Sequence, residues 1–193
     1  MQTTVSRVRV VTALALAAAL FALPAFGAPV VYTAQLSGPN ESPPNVSTGT
    51  GVATVTVDAA AHTMRVEVTF SGLISLNTNS HIHAPTLVAG SGTAGVATTT
   101  PTFAGFPSGV TAGNYDNTLN MTLASSYNPA YVTANGNSIP ASEAALFQAI
   151  ADGKAYLNIH SQMFPGGEIR GFLTPAPVPT QESTWGSIKA MYR

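Results

Sequence analysis

Cysteine is absent from the 193-residue chain, and charged residues make up only 8% of it. The first absence excludes disulfide staples, thiolate metal sites and cysteine nucleophiles, so burial and ladder hydrogen bonds must hold the fold. The second leaves no basic stripe to grip phosphates, and nucleic-acid binding is set aside. Histidine is nearly as scarce: His62, His81, His83 and His160 are the full complement. No Gly-x-Ser-x-Gly elbow and no close pair of carboxylates occurs, so no enzymatic activity is expected.

What is present begins with a leader. Arg7 and Arg9 precede an apolar run from Val10 to Leu23, broken by Pro24 and followed by Ala25-Phe26-Gly27. This is the three-part layout of a Sec signal peptide over residues 1–27, and the run is short for a membrane span. Its removal takes away two basic residues and no acidic one, moving the formal charge from −1 to −3. The expected organisation is a signal peptide (1–27), one domain (28–174) and a Pro-rich linker with a C-terminal tail (175–193). The protein is expected to be secreted or held at the cell surface, with no transmembrane span after cleavage. In the tail, Trp185, Ile188 and Tyr192 share one side of a short helical pattern that could dock on a sorting or surface protein.

Between leader and tail the pattern is strands and turns. In "TMRVEVTFSG" (63–72), Met64, Val66, Val68 and Phe70 fall on one face and Arg65, Glu67 and Thr69 on the other. Similar stretches lie at 30–38, 52–57, 154–162 and 167–175, with strand-like pieces at 94–99 and 117–123. One helix is predicted over 141–153, capped by Ser142 and ended by Gly153. Short strands with Gly/Pro turns predict an all-β fold, a Greek-key antiparallel β-sandwich with one short helix.

The scarce histidines fall into a pattern. In "NSHIHAPT" (79–86), alternation sends Ile82 to the core and turns His81 and His83 to the opposite, solvent-facing side. In "YLNIHSQ", Leu157 and Ile159 point inward and His160 outward by the same rule. If the two strands are neighbours, the imidazoles converge as a three-nitrogen site suited to copper or zinc, with Glu168 as fourth ligand or orienting acceptor. The reading ranked ahead of it makes these imidazoles pins, hydrogen-bonded to the backbones of the loops around "HAPT" and "HSQMFPGG", with no cofactor. Glu168 and Arg170, two apart on one strand, are expected in a structural ion pair.

Three segments together, "YTAQLSGPNESPP", "VTFSGLISLNTNSHIHAP" and "AYLNIHSQMFPGGEIRGFL", resemble the CHRD domain, the module named after chordin, over roughly residues 30–173. The resemblance implies a β-sandwich, extracellular placement, and a binding or interaction module without established catalytic activity. An extracellular protein or glycan is then the expected partner. Two alternatives stand beside this reading: a His-based copper- or zinc-binding protein, and a structural component of an extracellular matrix.

Overall fold

The computed structural model describes residues 27–177. The leader before them and the tail after them, with its expected helix, lie outside that range. Eight strands follow in chain order: β1 (Val30–Ser37), β2 (Thr50–Asp58), β3 (Thr63–Ser71), β4 (Asn77–His83), β5 (Gly113–Asn120), β6 (Tyr156–Ser161), β7 (Ile169–Phe172) and β8 (Thr174–Pro175). All join one antiparallel sheet in the order β4-β6-β7-β1-β2-β3-β5, with β8 on β1. The fold is therefore mostly β, built on a single curled antiparallel sheet.

Alternation explains the middle of the sheet. Met64, Val66, Val68 and Phe70 of β3 are buried, as are Ala53, Val55 and Val57 of β2 and Tyr32, Ala34 and Leu36 of β1. Each large apolar side chain so buried contributes roughly 1.5–3 kcal/mol. β4 and β6 differ. Ile82, Leu157 and Ile159 face the main core, yet the opposite face is also covered, and five of the six β6 residues are buried.

Two helices stand where one was expected. α1 (Pro129–Ala134) starts from Asn128, whose side chain accepts a hydrogen bond from the Ala130 N–H, with Pro129 at the first helical position. α2 (Ile139–Ala151) is capped by Ser138 rather than Ser142, which lies buried inside the helix and bonds back to the Ser138 carbonyl. α2 lays Leu146, Ala149 and Ile150 on the core. The strand-like piece at 94–99 makes only single bridges, Val96 to His83 and Thr98 to Tyr127. Its backbone and Thr98 bond to Ile82 along the free edge of β4, which covers that edge.

The last strand returns to the first. Tyr32 pairs with Pro175, Thr33 with Thr174, and the Ala176 N–H donates to the Val31 carbonyl at 2.8 Å. Among the described residues, no helix is long and apolar enough to cross a membrane.

A candidate three-histidine metal centre

β4 and β6 are hydrogen-bonded neighbours although 77 positions along the chain separate His81 from Asn158, the residue opposite it; His83 faces Tyr156 and Asn79 faces His160. Period-two alternation puts His81 and His83 on one face of β4. His160 then sits diagonally across from His81, within reach of a ring. Ring centroids are 5.0 Å apart for His81 and His160, 5.6 Å for His81 and His83, and 6.1 Å for His83 and His160.

Each imidazole uses its two nitrogens differently. One nitrogen donates outward to a loop carbonyl: His81 Nε2–H to Pro101, His83 Nδ1–H to Ala94 at 2.8 Å, and His160 Nδ1–H to Pro165 at 2.9 Å. A carbonyl only accepts, so the proton is assigned to that nitrogen and the other carries a lone pair. Those other atoms, His81 Nδ1, His83 Nε2 and His160 Nε2, are buried and have no hydrogen-bond partner. The three residues form one potential metal-holding group, with ligand atoms all within 4.8 Å of one another. Nitrogens that close put the centre of their triangle within about 2.8 Å of each, so shifts under about 1 Å reach the ~2.0–2.1 Å of a metal–imidazole bond.

The setting favours neutral rings. Only 4% of His81 and 8% of His83 is exposed, and His160 is half-buried. Burial depresses the affinity of His81 for a proton to a pKa of about 4, against the Pro101 hydrogen bond and with help from the two neighbouring histidines. His83 and His160 are also shifted down, chiefly by burial. Neutral imidazoles with one nitrogen fixed by a backbone acceptor are the usual state of metal-ligating histidine.

The expectation that this face is open to solvent is corrected by the loop at 94–101, which passes over His81 and His83 and takes their outer hydrogen bonds. The loop-pinning role is present in all three rings, and it coexists with three inward lone pairs. Glu168 does not join the group. Its Oε1 accepts from the Ser47 hydroxyl at 2.7 Å and the Ile74 N–H at 2.5 Å, which ties those segments to the start of β7. His62, in the β2–β3 turn, pairs instead with Glu143 at 2.9 Å.

Sequence reasoning missed the layer behind the histidines. Tyr156 stacks on His83, and the Arg170 guanidinium lies 4.7 Å from the Tyr156 ring centre. Arg170 donates to the Asn40 and Gly92 carbonyls, and its acidic neighbour is Glu41, at 3.7 Å, rather than Glu168. Burial raises the Glu41 pKa to about 7, outweighing the pull of Arg170. Asn158, 2% exposed, has an unpartnered Oδ1. The loop carrying Glu41 has no periodicity that would have placed it there.

The CHRD domain family model matches residues 32–173. The chain belongs to the CHRD domain family. No curated protein matches it, and no solved structure does. The match takes in β4, β6 and β7, so all three histidines, Tyr156 and Arg170 lie inside the CHRD module.

Proposed function

We propose that this CHRD module is an exported metal-binding module, holding one transition-metal ion on His81 Nδ1, His83 Nε2 and His160 Nε2. The observation that carries the reading is the convergence of three histidines that each offer a ring nitrogen within 4.8 Å of the others and that each hold one buried nitrogen without a hydrogen-bond partner. Each carries a lone pair free to bind a metal once its opposite nitrogen donates to a carbonyl. Leaving three such lone pairs buried and unpaired costs stability, and an ion would recover it. The leader sequence supports export, and membership of the CHRD family supports a binding module rather than an enzyme.

The test is equilibrium dialysis of metal-free protein (residues 28–193) against copper and zinc, with metal analysis and a thermal melt. The expected result is one ion per chain and, at an ion concentration about a hundredfold above Kd, a melting point raised by about 5–10 °C. A folded His81→Gln, His83→Gln, His160→Gln variant should bind none and show no shift. Absence of binding by the parent protein, or undiminished binding by the variant, overturns the proposal.

A further inference from the structure

Building on the metal-binding reading, we infer that the site is selective for copper in its monovalent state, copper(I), over divalent zinc and copper. Coordination number, solvent access and charge all favour the monovalent ion.

The group offers three protein ligands. No aspartate or glutamate joins it among the described residues; Glu168 is held through Oε1 by Ser47 and Ile74 and Glu41 lies beside Arg170, each keeping its other oxygen buried and unpartnered outside the group. Three-coordination is a normal end state for copper(I). Zinc(II) takes four ligands, and copper(II) a tetragonal set. A three-histidine zinc site completes its shell with water, which needs an opening. Here the three ligand nitrogens are sealed from solvent and the 94–101 loop is bonded across two of the rings. The other unpartnered polar atom on this stretch of β6 is the amide oxygen of Asn158, a neutral donor that brings no charge.

Charge points the same way. Three neutral imidazoles leave the full charge of the ion inside a buried site. The cost of burying a charge grows with its square, so a divalent ion is penalised about four times as heavily as a monovalent one. The buried Arg170 and Glu41 lie 3.7 Å from each other, so this pair supplies no net negative field. A monovalent ion is what such a shell tolerates.

The experiment is an anaerobic competition on residues 28–193, copper(I) against bicinchoninate and, in parallel, zinc(II) and copper(II) against chromophoric chelators. X-ray absorption on the copper-loaded protein supplies the ligand count. The single variant His160→Gln, at the half-buried ring, serves as a control that removes one ligand with the two fully buried histidines intact. The expected result is one copper(I) per chain, held roughly a hundredfold more tightly than either divalent ion, with a three-nitrogen spectrum that His160→Gln abolishes. Zinc(II) or copper(II) held as tightly or more tightly would overturn the copper(I) selectivity and leave the metal-binding reading standing. Failure of every ion to bind would overturn both.

Discussion

The rings of His83 and Tyr156 lie face to face, 4.8 Å between centroids and 6° from parallel. Tyr156 is also packed by the guanidinium of Arg170. This buried phenol, 3% exposed, sets the plane of the His83 ring. Its hydroxyl reaches only Ala94, at 3.4 Å. Tyr156→Phe should therefore leave stability within about 1 kcal/mol and metal affinity nearly unchanged. Tyr156→Ala should cost about 3–5 kcal/mol and weaken metal binding as His83 loses its orientation. Chemical denaturation with parallel titration of the two variants checks this, and equal effects would contradict it.

Glu41 offers a stability test with a defined sign. Its folded pKa of about 7 lies above the ordinary 4.5, so the folded protein holds the proton more tightly than the unfolded chain. That contribution is complete below pH 4.5 and is lost as pH rises through 7. Glu41→Gln removes the dependence. The variant should be more stable than its parent above pH 7, by roughly 1–3 kcal/mol, with the difference shrinking toward pH 4.5. Urea midpoints at pH 5 and 8 measure it. A variant equally destabilised at both would show that the charge pairing with Arg170 dominates.

The histidines act in the opposite direction. The unfolded chain protonates them near pH 6.5, whereas folded His81 resists to about pH 4, with His83 and His160 also shifted down. The unfolded state therefore takes up protons first, and their contribution is complete above pH 6.5 and lost as the pH falls toward 4. In Glu41→Gln, where the opposing carboxyl is gone, the urea midpoint of metal-free protein should fall steadily across that window. Adding His81→Gln should flatten the slope. An unchanged slope would remove His81 as its source.

Gly171 is fixed by contact rather than by turn geometry. A Cβ there would sit 2.4 Å from the Gln35 carbonyl oxygen, on the backbone of β1. Since β7 meets β1 at Arg170 and Ser37, a methyl group would have to push these strands apart. Gly171→Ala should cost at least about 3 kcal/mol. The shift of Arg170 should reach the Tyr156 and His83 stack, lowering metal affinity in whatever fraction folds. Thermal melts and titration of the variant follow both effects.

Much of the sheet was legible because one face of β1, β2 and β3 meets the core and the other meets water, the condition under which alternation is informative. β5 was read at 117–123 and stands at 113–120, because its polar run, Gly-Asn-Tyr-Asp-Asn-Thr, buries only Tyr115 and Leu119. α1 was missed in a stretch where the Asn128-Pro129 start signal resembles a turn. The shared face of His81 and His83 also followed from alternation. That β6 would lie beside β4 did not, since pairing between distant segments is settled by tertiary packing. Nor did the burial of that face, because the covering loop is rich in Gly, Thr and Pro and carries no apolar signature.

The meeting of β8 with β1 has a mechanical consequence. Both leads of the domain leave side by side, where the Ala176 N–H bonds to Val31. Tension applied through the two ends would open this seam as a zipper, breaking hydrogen bonds one after another instead of shearing a whole ladder at once. β8 would peel first and β7 next, taking Arg170 away from Tyr156 while β2, β3 and β5 stayed joined. Pulled from its ends, the domain would yield first on the side that carries the histidines.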